Sequence, residues 1–335
     1  MASQQNAGEQ LMQMMTGYWV SRSLQVAAKL GIPDMLQDQP LTAAEIAAEQ
    51  NLHELSVYRL MRALSGVSLF EEDEDGRFHL TELSEMLTSD HPNSLRKLAI
   101  VFGEETYRSW VELAHSLKTG ETGFRRVFGE DLFPYLEQNP EIGRDFGEAM
   151  TDYVGQIHQG VLQTYDFGDT QVLADIGGSH GTLLSLLMRR YSHLRGILFD
   201  QQHVIDNAQG IMAPDLLERC ELVAGDFFEA VPAGADTYIL SSIVHDWDEP
   251  RILRLLGNIH DVIPEDGKLL IVETVLKERN QPDFGKLMDL TMLAVTGGRE
   301  RTAAEYETLL AQANFRVTNV ISTQSPGSIV EAVPS

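Results

Sequence analysis

The N-terminal part of the chain carries apolar residues at helical spacing, followed by a short alternating stretch. Apolar side chains return every three or four positions from Gly8 to Leu30, which predicts one long helix. Two shorter helices are predicted next, one opened by the capping-box residues Thr42 and Glu45 and the other over about 54–64. Residues 69–80 then alternate around an acidic turn and predict a β-hairpin. Helix, helix and hairpin in this order are typical of a winged-helix domain.

The pattern changes at the turn-rich segment 166–170. Helical spacing continues from Leu95 to Tyr165, and beyond the turn short β-rich runs alternate with helix-length segments. Such alternation predicts parallel strands, because a parallel connection needs a crossover of a dozen or more residues. A Pro-Gly turn separates the last two runs, which predicts an antiparallel hairpin. The predicted strands are Val172–Ile176, Gly196–Asp200, Glu221–Ala224, Thr237–Ser241, Lys268–Glu273, Arg316–Ser322 and Ile329–Ala332.

The acidic charge of the chain argues against DNA binding, which is one function of a winged helix. The 335 residues include 25 Lys+Arg and 50 Asp+Glu, a formal net charge of −25 at pH 7. Nucleic acids and anionic membranes both repel such a chain. The predicted hairpin tip is itself the acidic run Glu71–Asp75. We therefore expect no nucleic-acid partner and no membrane partner, and a structural or dimerisation role for the winged helix.

Two further sequence features restrict the compartment and the chemistry. The polar opening, residues 1–6, lacks the basic and apolar regions of a signal peptide, and no run approaches the ~18 apolar residues of a membrane span. A cytoplasmic protein is therefore expected. The single cysteine, Cys220, excludes a disulfide framework and a Cys-based zinc site. No metal-spaced His/Asp/Glu motif is found, so no metal is expected.

A glycine-rich loop follows the first predicted strand. In an open α/β sheet the ligand lies beyond the carboxyl ends of the strands, and this strand ends with Asp175 and Ile176. The small residues Gly177, Gly178 and Gly181 let the backbone approach a ligand closely. Ser179 breaks the G-x-G-x-x-G spacing of dinucleotide sites, so the loop suits a nucleoside with a zwitterionic tail better than a pyrophosphate. An ordinary turn is the alternative interpretation.

The next two strands also end in acids. Asp200 lies where a carboxylate can accept hydrogen bonds from both hydroxyls of a ribose. Asp226 and Phe227 follow the third strand and suit an adenine amino group and its ring face. Each acid alone is also typical of a solvated strand end. Three such ends in series predict a nucleoside cofactor.

The fourth strand runs into His245 and Asp246. Glu273 ends the fifth strand at the same edge of the sheet, and Glu300 lies in a later loop. A histidine held by carboxylates is a good general base, because its ordinary pKa is about 6.5 and an acid can fix its tautomer. The alternatives are a histidine with a structural role, and glutamates that form salt bridges or cap a helix.

Two methionines lie on one face of the helix predicted over 284–295. Met288 and Met292 are four positions apart and therefore share that face. Methionine stripes most often belong to a core, but they also line flat aromatic ligands. Both interpretations stay open.

Together these motifs resemble the S-adenosylmethionine-dependent O-methyltransferases of small aromatic hydroxyls, a group with plant caffeate and flavonoid, hydroxyindole and bacterial antibiotic and phenazine members. The resemblance covers nearly the whole chain, and the opening helix favours the bacterial phenazine type. The matching motifs are the glycine loop at 175–181, the ribose motif at 199–205, the adenine-side motif at 225–228, His-Asp-Trp at 245–247 and the Gly-Gly-Lys-Glu-Arg-Thr motif at 297–302.

The resemblance implies a fold class and the boundaries of the domains. The fold is α/β, a Rossmann-like class I methyltransferase domain with a mostly parallel seven-stranded sheet and a terminal antiparallel hairpin. A mostly helical winged-helix dimerisation domain precedes it. The implied ranges are 1–100 for the dimerisation domain, 101–168 for a helical connector that contributes to the substrate pocket, and 169–335 for the S-adenosylmethionine-binding domain.

The resemblance also implies roles for residues. His245 is the implied base, framed by Glu273 and Glu300, and the product is S-adenosylhomocysteine. The implied cofactor contacts are Asp175, Gly177, Gly178, Gly181, Asp200, Gln201, Asp226, Phe227 and Ser241. The implied contacts with a small hydroxylated aromatic substrate are Phe146, Met150, Asp246, Met288 and Met292. A homodimer through the N-terminal helices is expected.

Two departures from the family pattern change these expectations. Ser179 replaces the third glycine of the loop, and Ser241 replaces the lysine of plant members, so one adenosine contact is expected to be lost. The histidine favours methylation of oxygen, because a ring nitrogen needs no deprotonation. An N-methyltransferase and a non-catalytic, ligand-sensing winged-helix protein are the alternatives, and the loop spacing disfavours a dehydrogenase.

Overall fold

A computed structural model describes residues 6–335, apart from the side chain of residue 152. Contacts divide these residues into two units, 6–108 with 133–153 and 109–132 with 154–335. The predicted connector, 101–168, contributes to both units. The expectation that the chain has no signal peptide rests on residues 1–6. Of these, residues 1–5 lie outside the described residues.

The first unit contains the predicted long helix, the two shorter helices and the hairpin. The capping box is confirmed: Thr42 accepts the backbone N–H of Glu45, and the Glu45 carboxylate accepts the backbone N–H of Thr42. A short strand that the sequence did not predict extends the hairpin sheet. The elements of residues 6–108 are α1 (Ala7–Lys29), α2 (Ile32–Met35), β1 (Leu41–Thr42), α3 (Ala43–Gln50), α4 (Glu54–Ser65), β2 (Phe70–Glu72), β3 (Arg77–Leu80), α5 (Glu82–Glu85), α6 (Arg96–Gly103) and the start of α7 (Glu105–Val111).

Helices continue between the hairpin and the large sheet, as helical spacing predicted. Asn139 and Pro140 separate two of them, where the sequence indicated a break. These helices are α8 (Leu113–Thr119), α9 (Gly123–Phe128), α10 (Leu132–Gln138) and α11 (Pro140–Thr164).

The second unit alternates strands and helices, and all seven predicted strands are confirmed. The elements of this unit after α11 are β4 (Val172–Ile176), α12 (Thr182–Arg190), β5 (Arg195–Asp200), α13 (Gln202–Ile211), α14 (Pro214–Leu217), β6 (Cys220–Ala224), β7 (Thr237–Ser241), a 3₁₀ turn (Val244–Asp246), α15 (Glu249–His260), β8 (Lys268–Glu273), β9 (Val275–Leu276), α16 (Gly285–Val295), β10 (Arg301–Thr302), α17 (Ala303–Gln312), β11 (Phe315–Ser322) and β12 (Ser328–Pro334).

Seven strands of the described chain form one sheet in the order β11-β12-β8-β7-β4-β5-β6. The five strands from β4 to β8 are parallel, and β12 is antiparallel to both β8 and β11, so the terminal hairpin is confirmed. Tyr238 and Leu240 on one face of β7, and Ile239 between them on the other face, are all fully buried. Burial on both faces explains why these strands are continuous apolar runs, whose register is fixed by packing.

The sequence did not predict the parallel pair of β9 and β10. Arg301 pairs with Val275, two residues beyond Glu273. This pairing places the loop that contains Glu300 next to the end of β8. None of the helices in the part of the chain that the structure describes is long and apolar enough to cross a membrane.

Candidate active site

The glycine loop makes its turn through left-handed backbone conformations. Gly177 has φ 72°, Ser179 φ 52° and Gly181 φ 73°. A Cβ atom on Gly178 would lie 2.5 Å from the Cγ atom of Asp175, so a side chain there would displace the loop. Ser179 thus adopts a left-handed conformation that usually favours glycine, and the loop keeps its tight turn without the third glycine.

Two acids lie beside this loop. The Asp200 carboxylate accepts the backbone N–H groups of Ser179, at 2.9 Å, and of Gln201, at 2.7 Å. Asp175 is only 2% exposed, and burial together with the Asp200 charge raises its pKa to about 7. Burial also raises the pKa of Asp200, although its two backbone hydrogen bonds oppose that shift. This desolvated pair suits a ligand that brings hydroxyl donors and positive charge, as S-adenosylmethionine does.

Three aromatic side chains lie next to Asp226, the acid that follows the third strand. The backbone N–H of Phe228 donates to the Asp226 carboxylate at 2.8 Å. The Phe227 and Phe228 rings lie 4.6 Å apart edge to face, and the Trp247 ring lies 4.9 Å from Phe228. An acid beside half-buried aromatic rings fits the amino group and the flat ring of an adenine.

Ser241 ends β7 and has a neighbour that the sequence did not predict. The Ser241 hydroxyl lies 3.4 Å from Nε2 of His158, which is on α11. His158 is buried, and its Nδ1 atom has no hydrogen-bond partner within the described residues. Burial lowers the pKa of His158 to about 4, so the ring is neutral. No motif surrounds this histidine in its helical run, so the sequence offered no signal for it.

His245 lies in the 3₁₀ turn after β7, and Glu273 holds both the turn and the ring. Oε1 of Glu273 accepts the backbone N–H groups of Ile243, Val244 and His245 at 3.0, 2.8 and 3.3 Å. Oε2 lies 2.6 Å from Nδ1 of His245. The ring N–H is not aligned with Oε2, so this contact is a close ion pair rather than a well-directed hydrogen bond.

Two further carboxylates approach the ring from different sides. Oε1 of Glu300 lies 3.5 Å from Nδ1, and Oδ1 of Asp246 lies 3.7 Å from Nε2. The side chains of Glu273 and Glu300 are 1% exposed, and that of His245 is 18% exposed. The structure therefore brings the three predicted catalytic residues together, with the imidazole as the member that solvent reaches.

The electrostatics of this cluster favour a protonated imidazole. Burial lowers the pKa of His245, but the charges of Glu273, Asp246 and Glu300 outweigh burial, and the pKa lies well above its usual value. Burial raises the pKa of Asp246 to about 6 and also raises the pKa of Glu300. His245, Glu273 and Glu300 each offer one potential ligand atom, and these three atoms lie within 4.8 Å of one another. Such a spacing could also hold a metal ion.

The methionine stripe lies on α16, which packs against α8 and α9. Met292 is buried and Met288 is half-buried. Phe146 and Met150 lie on α11 in the other unit. The substrate contacts of these four residues and of Asp246 stay predictions.

The chain matches two family models. Residues 110–316 match the O-methyltransferase domain, and residues 12–90 match the O-methyltransferase dimerisation domain. The phenazine O-methyltransferase PhzM of Lysobacter antibioticus is 45% identical over 325 residues, which cover 97% of this chain and 95% of that protein.

Solved structures agree with the family match. The crystal structure of LaPhzM has a TM-score of 0.93 and 44% identity, covering 99% of this chain and 100% of that one. The crystal structure of NcsB1, an O-methyltransferase from neocarzinostatin biosynthesis, in complex with S-adenosylmethionine and 2-hydroxy-5-methyl naphthoic acid, has a TM-score of 0.83 and 33% identity, covering 94% of this chain and 96% of that one. The chain belongs to the family of S-adenosylmethionine-dependent O-methyltransferases that have an N-terminal dimerisation domain.

Proposed function

We propose that this enzyme methylates a phenolic hydroxyl of a small, polycyclic aromatic compound of the phenazine type. The observation that carries the proposal is the geometry of His245, whose Nδ1 faces the buried carboxylates of Glu273 and Glu300 at 2.6 and 3.5 Å. Nδ1 therefore keeps a proton, and the lone pair of the neutral ring is on Nε2. Relatives that act on phenazine and naphthoate rings support this acceptor class.

The chain has two tasks in this reaction. When bound, S-adenosylmethionine supplies a sulfonium-activated methyl group. Asp200 and Asp226 would fix the nucleoside through its ribose and adenine, and the glycine loop with Asp175 would hold the methionine tail. His245 would accept the phenolic proton at Nε2 while the oxygen takes the methyl group, and Glu273 would stabilise the imidazolium that forms. A phenol pKa of about 10 makes that proton transfer necessary at neutral pH.

An acceptor screen tests the function. Purified protein is incubated with S-adenosylmethionine labelled in the methyl group and with hydroxyphenazines, hydroxynaphthoates and matched ring compounds that lack a hydroxyl group. We expect label in the aryl methyl ethers of hydroxylated rings only, with turnover unchanged by a metal chelator. Label on ring nitrogen in the hydroxyl-free compounds would favour the N-methyltransferase alternative. S-adenosylmethionine binding without transfer to any ring would favour the non-catalytic alternative.

The elevated pKa of His245 predicts the pH dependence of catalysis. A base works only when it is neutral, and the carboxylates keep the free enzyme's His245 protonated above the pH at which an ordinary histidine loses its proton. The value of kcat/KM should therefore rise with pH and level off only above about 6.5. A kcat/KM profile measured between pH 5 and 9 checks this, and a plateau that begins below pH 6 would contradict it.

Gly298 brings the loop of Glu300 onto the base turn. A Cβ atom at this position would lie 1.8 Å from the carbonyl oxygen of His245, so alanine must displace the backbone. A misplacement of about 1 Å costs roughly 10²-fold in rate, so Gly298→Ala should lose about that much in kcat. Gly257→Ala is the matched control, because Gly257 lies in α15 with open space around its Cα atom. Equal kcat for the two variants would count against this packing argument.

The dimerisation domain leads us to infer a homodimer through α1. This helix presents large apolar side chains to solvent, with Met14 70% and Trp19 60% exposed. A cavity of about 280 Å³ with an apolar lining lies in the same unit, beside Leu24, Leu98 and Phe102. Trp19→Glu should shift the protein from dimer to monomer in sedimentation velocity. A wild-type protein that sediments as a monomer at micromolar concentration would refute the inference.

A further inference from the structure

His158 is a buried histidine of α11 that the proposed reaction does not use. It is 9% exposed and belongs to the same unit as β7. Its Nε2 atom lies 3.4 Å from the hydroxyl oxygen of Ser241, and its Nδ1 atom has no hydrogen-bond partner within the described residues. Burying a polar ring costs free energy unless the ring is hydrogen-bonded. In the described chain, Ser241 is the only partner that offsets this cost.

Packing against the terminal hairpin fixes the position of the His158 ring. A Cβ atom on Gly160 would lie 2.4 Å from Oγ of Ser325, and one on Gly327 would lie 2.7 Å from Cγ2 of Ile157. The two glycines therefore let α11 approach the turn between β11 and β12 closely. Because β12 pairs with β8 and β8 pairs with β7, this contact ties the end of α11 to the strand that carries the serine.

The burial of the ring indicates which nitrogen carries its proton. Burial lowers the pKa of His158 to about 4, so the ring is neutral and has one N–H group. An unpaired N–H group is rarer in protein interiors than an unpaired acceptor, so the proton belongs on Nε2 rather than on the unpartnered Nδ1. Nε2 then donates to the Ser241 oxygen. The hydroxyl hydrogen of Ser241 points away from the ring and is available to another acceptor.

Ser241 borders the place where a nucleoside would lie. It is half-buried at the carboxyl end of β7, which pairs with β4, the strand that leads into the glycine loop. A Cβ atom on Gly177 would lie 2.6 Å from Cδ1 of Ile243 and 3.6 Å from the ring of Phe227. The end of β7, the glycine loop and an aromatic ring therefore meet at one point. An aromatic ring at this edge of the sheet suits the flat base of a nucleoside better than its amino-acid tail.

We propose that His158 is a positioning residue for the cofactor: it donates to Ser241 and so orients the Ser241 hydroxyl to donate to a nitrogen or oxygen acceptor in the adenosine part of S-adenosylmethionine. This inference rests on the cofactor site of the proposed function, but it needs neither an acceptor substrate nor the base. A failed acceptor screen and a failed binding test therefore contradict different claims.

The test measures the affinity for S-adenosylhomocysteine by titration calorimetry in Ser241→Ala, His158→Asn and His158→Gln. The amide of glutamine reaches the position of Nε2, whereas that of asparagine reaches only the position of Nδ1, so only glutamine can replace the donor. We expect binding about fivefold weaker in Ser241→Ala and His158→Asn, the typical net effect of one hydrogen bond. His158→Gln should stay within about twofold of wild type.

His193 provides a matched control. It is an exposed histidine whose Nε2 atom lies 3.1 Å from the carbonyl oxygen of Thr170, just before β4 and thus at the opposite edge of the sheet. His193→Asn should leave the affinity for S-adenosylhomocysteine unchanged. Melting temperatures of all variants report losses of stability separately from losses of binding.

A double variant distinguishes positioning from packing. Ser241→Ala combined with His158→Asn should bind no more weakly than Ser241→Ala alone, because both substitutions remove the same oriented hydroxyl. Losses that add in the double variant would overturn the proposal, as would equal losses in the asparagine and glutamine variants. A folded Ser241→Ala protein with wild-type affinity would also overturn it, even if neither His158 variant folds.

Discussion

Replacing His245 with alanine is expected to lower kcat by about 10²–10⁴-fold, the range that general-base removal of a proton contributes. Glu273 and Glu300 cannot replace the ring, because their side chains are 1% exposed and lie on its Nδ1 side. Single-turnover rates with a hydroxylated acceptor measure the loss. His245→Asn should lose as much activity, since an amide is polar but accepts no proton at neutral pH.

The His245→Ala variant should bind the cofactor normally. None of the proposed cofactor contacts depends on the imidazole, so the affinity of His245→Ala for S-adenosylhomocysteine in titration calorimetry should stay close to wild type. If affinity falls by the same factor as kcat, His245 is part of the cofactor site, and the assignment as base is wrong.

Asp200→Ala is expected to weaken cofactor binding by about 10²-fold or more. A carboxylate that accepts both ribose hydroxyls makes two charge-assisted hydrogen bonds, each worth about 1.5–3 kcal/mol. The substitution also removes the acceptor of the Ser179 N–H, at 2.9 Å, and so frees the glycine loop. Calorimetry with S-adenosylhomocysteine measures the loss directly.

Asp206 offers a matched control on the adjoining helix. It is an exposed acid of α13 that accepts a hydrogen bond from Gln202 at 2.8 Å and lies away from the strand end. Asp206→Ala should leave the affinity unchanged. An Asp200→Ala protein that binds as tightly as this control would exclude the ribose role of Asp200.

Periodicity predicted the sheet because both of its faces are buried. The strand Thr237–Ser241 has a continuous apolar run at its centre, and in the structure it is β7, with Tyr238 on one face and Ile239 on the other, both fully buried. The site acids followed from the same reasoning, because parallel strands end at one edge and a ligand lies there. Asp175 and Asp200 could therefore be predicted as ligand contacts before any distance was known.

The remaining features depend on contacts that a linear pattern does not carry. The pair of β9 and β10 has two residues in each strand, too short for any periodicity, yet it brings Glu300 to the imidazole. Arg301 would be expected at the surface from its residue type, and only the fold reveals its full burial. His158 lies within a helical run, and its proximity to Ser241 follows from tertiary packing alone.

The dependence of the His245→Ala rate on acceptor acidity tests the central claim most directly. Single-turnover methyl transfer is measured at one pH for wild type and variant with a series of ring-substituted phenols, from acceptors largely ionised in solution to acceptors with a pKa of about 10. If His245 removes the phenolic proton, the variant should approach the wild-type rate with the ionised acceptors and fall behind by about 10²–10⁴-fold with the weakest acids. A deficit of the same size across the whole series would contradict the account.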